Sequence, residues 1–327
     1  MPLTRRAMTW EALSDPWAAL HRAARPAAGP FTRPEFLSAW WDAFHDDARL
    51  DLQALYAGDA LVGVLPLQRR EAALAFVGHP DVCDYGDLLA APGREADVIE
   101  AFLAHLDADP AAEVDLHGLP EGSATLALLP PAARARGWTV VAEQEAVCPV
   151  VRLAPTWEAY LDTLKGKHRH EVRRKLRNLL DGGAAVDLEV VDDPPAIVEA
   201  LPLFLRQMVD SRGDKAEFMT EQMATFFHGL VARMAPAGLL RLHFLLVDGQ
   251  RAAGVLALLG PDRLLLYNSG YDPAARHLSV GMAAKVFCLR DAVDRGLAAV
   301  DFLRGAEAYK FQLGGRPSPV TRLRLRR

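Results

Sequence analysis

LLRLHFLLVDGQRAAGVLALLG (239–260) is two apolar runs that meet at Asp248-Gly249. Asp-Gly between such runs is a strong hairpin signal, because both residues tolerate positive φ. Reading outward, RLLLYNSGY (263–271) is a strand and DPAARHLSVG (272–281) a loop. MAAKVFCLRDAVDRG (282–296) is a helix ended by Gly296, and AAVDFL (298–303) is a strand. The same order occurs earlier in the chain. LDLQALYAGDALVGVLPLQRR (50–70) is a hairpin about Gly58-Asp59, ALAFVG (73–78) a strand and HPDVCDYGDLLAAPG (79–93) a loop. EADVIEAFLAHL (95–106) is a helix and EVDLHGL (113–119) a strand, and a helix at PEFLSAWWDAF (34–44) precedes them. Hairpin, strand, loop, helix and strand occur twice, which predicts a duplicated α/β unit with halves at residues 1–150 and 151–327.

Between the copies lie a basic stretch, KGKHRHEVRRKLRNLLDGG (165–183), a strand, AAVDLEVV (184–191), and two helical stretches, EALPLFLRQMVDSRG (199–213) and EQMATFFHGLVARM (221–234). Gly182-Gly183 ends the basic helix, and Pro194-Pro195 separates the strand from the next helix.

Of 327 residues, 51% are hydrophobic, enough to build a core and to exclude a disordered chain. No apolar window reaches the roughly 18 residues of a membrane helix. MPLTRRAMTWEALSDPW (1–17) has two arginines and no apolar run behind them, so no secretory signal is expected. Cys83, Cys148 and Cys288 are too dispersed for a disulfide framework or a zinc ribbon. A soluble, cytoplasmic protein is the expectation. Charge is uneven: residues 1–150 hold 11 basic and 22 acidic residues, a net −11, whereas residues 151–327 hold 26 and 20, a net +6. An anionic partner would meet the second half.

At 100° per residue, Val172, Leu176, Leu179 and Leu180 share an apolar face of the basic helix, and Arg169, Arg173 and Arg177 form a row along its edge. Three readings of the row stand: a solvated face, an edge that contacts phosphate or another small anion through bidentate arginines, and a nucleic-acid surface. No recognition motif, aromatic platform or overall basic charge supports the last, and DNA is not expected as a partner. HEVRR (170–174) begins like a zincin HExxH, but Arg174 stands where the second histidine is required, and no metal is expected.

The sequence contains no GxGxxG, Walker A or GxSxG motif. Two stretches can carry chemistry. In SGYDPAARHLSVGMAAK (269–285) a strand and loop open a helix whose N-terminal amides and dipole form an anion site suited to a pyrophosphate. Ser279 and Gly281 allow close approach, and Arg276 and His277 add charge; equally, Ser279 is an ordinary N-cap and Gly281 a packing residue. In DFLRGAEAYKFQLGG (301–315) a strand ends at Asp301 and turns through Arg304-Gly305 to Glu307, Tyr309 and Lys310. Charged groups at the carboxyl end of a strand are well placed for a site: lysine for an oxyanion or phosphate, a carboxylate for a base. The alternative is a structural Asp301–Arg304 pair and a solvated Lys310.

DFLRGAEAYK resembles the terminal signature of GNAT-type acyltransferases of the BioF2-like, CelD/BcsL-like group. KGKHRHEVRRKLRNL, LLRLHFLLVDGQRAAGVLAL and HLSVGMAAK resemble that group's basic helix, central hairpin and following loop, and FTRPEFLSAWW, LVGVLPL and DYGDLL its N-terminal half. The resemblance runs from Thr9 to Gly315. It implies two tandem GNAT-like domains, related to Fem-type peptidyltransferases, around a shared cleft. It further implies an acyl-CoA co-substrate, acetyl-CoA or longer, and an amine acceptor on a small molecule or a sugar-linked precursor. The pyrophosphate would lie on backbone amides from Ser279 through Val280, Gly281 and Met282 to Ala283. Leu278 departs from the Arg or Gln that the general GNAT loop carries there. The first copy lacks the loop pattern and is expected to be a degenerate partner that walls the acceptor site, with Asp84 and Tyr85 facing it. In this reading Lys310 and Arg304 stabilise charge or bind an acceptor phosphate. Asp301 and Glu307 handle the amine, Tyr309 protonates the leaving thiolate, and the row of Arg169, Arg173 and Arg177 contacts an anionic acceptor. The rivals are a Fem-like transferase using aminoacyl-tRNA, against which the acidic first half speaks, and a non-catalytic tandem GNAT.

Overall fold

The computed structural model describes residues 3–70, 73–108, 113–181, 183–211 and 217–327. The chain divides into two compact units: Met1–Val147 with Ser318–Arg327, and Cys148–Pro317. Gly182, half of the expected helix stop, and the end of the 199–213 stretch lie outside the described residues.

The first unit contains β1 (Thr4–Ala7), α1 (Trp10–Ala24), α2 (Pro34–Phe44), β2 (Arg49–Ala57), β3 (Ala60–Arg70), β4 (Ala73–Phe76), β5 (Leu89–Ala90), α3 (Glu95–Asp107), β6 (Glu113–Pro120), α4 (Ala124–Ala135) and the start of β7 (Thr139–Arg152). The second contains the end of β7, α5 (Trp157–Thr163), α6 (Gly166–Leu180), β8 (Val186–Val191), α7 (Pro194–Ser211), α8 (Glu221–Met234), β9 (Leu240–Val247), β10 (Gln250–Leu259), β11 (Arg263–Tyr271), α9 (Val280–Asp294), β12 (Ala299–Asp301) and α10 (Ala308–Gln312). β13 (Arg316–Arg326) then returns to the first unit.

Each unit is a mixed sheet flanked by helices, the α/β class expected. The strand orders are β1-β2-β3-β4-β6-β13 and β7-β12-β11-β10-β9-β8. β4 pairs β6, and β11 pairs β12, in parallel; α3 and α9 are the crossovers that parallel neighbours require. The repeat is longer than the sequence shows. From β1 and from β8, the chain runs strand, helix, helix, three strands, helix, strand, helix, strand, with β5 an addition to the first copy. The last strands exchange places: β13 pairs antiparallel with β6, and residues 150–152 of β7 pair with β12. The units are therefore not consecutive halves, because the carboxyl-terminal strand completes the first sheet.

The hairpin at Asp248-Gly249 has φ of 50° and 76°, as a two-residue turn matching strand twist requires. α9 buries Val280, Ala283, Ala284, Cys288 and Leu289 against Val255, Ala257, Leu264 and Val300. Its alanines let it lie close to the sheet. On the other packing partner of β11, a Cβ at Gly270 would collide with the backbone of Met208, so glycine sets how closely α7 approaches. In the first unit α3 and α4 place Phe102, Leu103 and Leu129 on Leu65, Leu67, Leu116 and Leu323.

Asp87 is buried at the start of α4, where the hydroxyls of Ser123 and Thr125 and the amide of Leu88 hydrogen-bond to it. Burial outweighs these bonds and pushes its carboxyl up to about 6. The unfolded carboxyl ionises near 3.8, so this group's contribution is fully present below that pH. It is lost as pH rises towards 6. Asp87→Asn should therefore raise stability at pH 7, by an amount on the order of 2 kcal/mol, and flatten the loss between pH 4 and 6. Urea unfolding of both proteins across that range checks it.

Candidate active site

The site is assembled at the carboxyl ends of β11 and β12. These strands pair only through Arg263–Ala299, Leu264–Val300 and Leu265–Asp301. Beyond that point β11 continues for six residues while the chain after β12 turns away. The β10–β11 register shifts between Leu256 and Ala257, which pair with Asn268 and Leu266 and leave Tyr267 as the extra residue. Such a bulge twists a strand and re-aims its end. The result is an opening between two parallel strands.

One lip is the loop before α9. Asp272 accepts from the Ala274 amide at 2.9 Å and starts a 3-10 turn over Pro273–Leu278. Ser279 then adopts φ 57° and, contrary to the N-cap reading, its side chain makes no capping bond. Its carbonyl instead accepts from Met282 and Ala283, at 3.0 and 3.1 Å. The amides of Val280 and Gly281 stand at the mouth of the helix, where helix geometry supplies no partner. A Cβ at Gly281 would lie 3.0 Å from the Tyr271 ring, so this turn is already close-packed. Arg276 and His277 are exposed at the rim, and His277 Nδ1 lies 3.0 Å from the Ala274 carbonyl. Leu278 packs on the hydrophobic core of the unit.

Lys285 completes this lip and was not singled out from the sequence. Its ammonium donates to Ser269 Oγ at 3.1 Å and to the Gly281 carbonyl at 3.0 Å, and it lies 5.4 Å from the centroid of the Tyr309 ring. The signal was available: Lys285 is one helical turn after Gly281, so both occupy one face of α9.

The other lip is the turn after β12. Asp301 is fully buried, and its Oδ1 accepts from the Leu303 amide at 2.8 Å. That bond holds Leu303 at φ 58°, a conformation costly for a leucine. Lys310 is 3% exposed, not solvated. Its ammonium donates to the carbonyls of Leu303 and Arg304, at 3.1 and 2.6 Å, and pairs with Glu307 at 3.0 Å. All three donors are used, so Lys310 acts here as a clamp on the turn. Glu307 is exposed and Arg304 half-buried, and Tyr309 stands edge-on to Phe302 at 6.0 Å. The structure thus brings Tyr309, the Lys285 ammonium and the start of α9 together on one side. It places Asp301 and Lys310 beneath the turn.

The basic helix is where the sequence put it, but its apolar face is narrower. Val172 and Leu179 are buried, whereas Leu180 is 51% exposed. Arg169 and Arg173 meet Asp162 and Glu158 of α5 at 2.6 and 2.9 Å, a rung-by-rung match of two carboxylates and two arginines each spaced by four. Arg177 is exposed one turn further on. In the first unit Asp84 is half-buried, and Tyr85 is buried edge-on to Phe31, lining a cavity within that unit.

Residues 166–311 match the family model described as an acetyltransferase (GNAT) domain. No match is found among curated proteins. Among solved structures, the chain shares its fold with FemX at 12% identity and a TM-score of 0.66, over 98% of this chain and 96% of that one. It also resembles the C-terminal (DUF2156) domain of a putative lysylphosphatidylglycerol synthetase from Agrobacterium fabrum, at 10% identity, a TM-score of 0.63 and 98% and 93% coverage. L-PGS from Bacillus licheniformis follows at 14% identity, 0.54, and 90% and 91%. The fold is of the GNAT type. No helix among the described residues is long and apolar enough to cross a membrane.

Lys310→Met keeps the apolar stem and removes the ammonium, stranding two carbonyls. The variant should lose about 3 kcal/mol of stability in urea unfolding, as expected when a buried charged group that satisfies several partners is removed. An unchanged midpoint would mean that the ammonium does not hold the turn.

Proposed function

We propose that the protein transfers an acyl group from acyl-CoA to an amine of a small molecule or a sugar-linked precursor. The observation that carries this reading is the opening between β11 and β12 beside the amides of Val280 and Gly281. A thioester on an extended arm can enter between the strands while its pyrophosphate rests on the helix mouth. The GNAT match over 166–311 supports it.

In the reaction a neutral amine attacks the thioester carbonyl. A carbon–nitrogen bond forms, the carbon–sulfur bond breaks, the amine gives up a proton and the thiolate takes one. Glu307, exposed at the turn, would accept the amine's proton. Tyr309 would supply the thiolate's proton. The Lys285 ammonium beside the Tyr309 ring favours the anionic charge that develops there. Asp301 and Lys310 serve as positioning residues that fix the turn carrying Glu307 and Tyr309. The protein would work on cytoplasmic metabolites.

Calorimetric titration with acetyl-CoA and a longer acyl-CoA tests the donor. Binding is expected with the natural protein and lost in Gly281→Trp, whose side chain would be driven against Tyr271. Binding of a tRNA mixture, with no binding of either thioester, would overturn the CoA reading and move the acyl group to tRNA.

A further inference from the structure

We infer that the acceptor meets the thioester on the face of the sheet opposite α9, where Asn268 hydrogen-bonds to it, and that it is an amine with a hydroxyl on the adjacent carbon, as in an amino sugar. The inference rests on the acyl-transfer reading and narrows its acceptor.

The faces of β11 are fixed by its neighbours. Ser269 Oγ accepts from the Lys285 ammonium of α9, and a Cβ at Gly281 would lie 3.0 Å from the Tyr271 ring, so residues 269 and 271 face α9. A Cβ at Gly270 would collide with the backbone of Gln207 and Met208, so residue 270 faces α7. Pairing with β10 is regular from Asn268 to Tyr271, and side chains alternate along a strand, so Asn268 faces α7 as well. Tyr267 is the extra residue of the bulge, and its ring lies 6.3 Å from that of Phe227 on α8, which packs on α7. The bulge thus puts two consecutive side chains, Tyr267 and Asn268, on one face. They stand just past Leu265, where pairing with β12 ends and the opening begins.

Asn268 is half-buried. Among the described residues its carboxamide has no hydrogen-bond partner, and its polar atoms keep contact with solvent. A few placed polar groups orient a ligand in a site that is otherwise apolar. The arm of the thioester enters beside the helix amides on the α9 face, so the amine meets its carbonyl from the other face. A carboxamide presents an acceptor and a donor side by side. The complement is an N–H of the amine for Oδ1 and a hydroxyl oxygen on the adjacent carbon for Nδ2. The rings of Tyr267 and Phe227 add apolar surface for the carbon face of a sugar ring. An acceptor bearing a carboxylate would call for a cation, whereas the Lys285 ammonium is held on the α9 face by Ser269 and the Gly281 carbonyl. The bond changes are those of the reaction above; Asn268 orients the amine and takes no proton.

Glucosamine is the probe. Cyclohexylamine, which lacks the hydroxyls, and glycine, which carries a carboxylate, are the comparators. Binding is read by calorimetry without donor, and acetylation by thiol release from acetyl-CoA. The natural protein should bind glucosamine and acetylate it with a kcat/KM at least about tenfold above either comparator. Asn268→Ala should raise KM for glucosamine about tenfold, as one or two lost uncharged hydrogen bonds imply, with kcat and acetyl-CoA affinity little changed. Asn268→Leu keeps the volume of the side chain and should act alike, which guards against a folding defect in either variant. Acetyl-CoA binding with equal use of the three amines, or a KM that neither variant moves, would overturn the inference and leave the donor reading standing. Absence of glucosamine binding would also overturn it. Glucosamine binding that Asn268→Ala weakens, in a protein that binds no acetyl-CoA, would sustain the acceptor site and overturn the donor reading instead.

Discussion

The second unit depends on a parallel strand pair that is only three residues long. β11 and β12 cannot be joined by a tight turn, so α9 must cross between them, and its start lies beside the ends of the strands. Longer pairing would zip the strands shut. The bulge at Tyr267 and the turn after Asp301 both act against that, one by twisting β11 and the other by taking the chain away from it. Helix mouth and opening therefore follow from one constraint. The small residues of α9 are what let the helix remain on the sheet while its first turn stays close to the strand ends.

A turn that diverts a strand must itself be held. At Leu303 the holding groups are a buried carboxylate and a buried ammonium, neither of which is cheap to desolvate. Their costs are offset because each satisfies backbone groups: the Asp301 carboxylate takes the Leu303 amide, and the Lys310 ammonium takes two carbonyls. Leu303 at positive φ is therefore strained but over-determined, an arrangement common where a site requires one fixed geometry. A salt link from Lys310 to exposed Glu307 connects this buried frame to the surface.

The elements that could be read from the sequence are those whose apolar pattern is unmistakable. The two hairpins, the strand at 263–271 and the helix at 34–44 appear where periodicity and turn residues place them. α4 was missed because Pro130 and Pro131 lie within it and speak for a break. β7 and β13 were missed for a different reason. Much of each strand alternates with charged residues, as in VAEQEAV and VTRLRLR, and the strands are stabilised by cross-strand pairs such as Arg324 with Glu143. A pairing partner many residues away leaves no mark in a local window. The same limit applied to the site. The types at 301–310 were legible, but the roles were not, because only the fold shows that the Lys310 ammonium points back into its own turn.

The charge contrast between the parts of the chain takes on a different meaning once partners are seen. The sequence suggested that the arginine row would meet an anion. Asp162 and Glu158 on α5 meet Arg169 and Arg173, so most of that row is answered from within the unit. Exposed pairs of this kind contribute little stability, typically under about 1 kcal/mol each, and are screened by salt. The acidic first unit shows the converse. Asp115 and Glu143 draw arginines from β13, the strand that the second repeat contributes, and Arg322 and Arg324 are bound there. Much of the basic excess of residues 151–327 is thereby used to close the sheet of the acidic unit. The imbalance in sequence is, to that extent, a record of strand exchange rather than of a ligand.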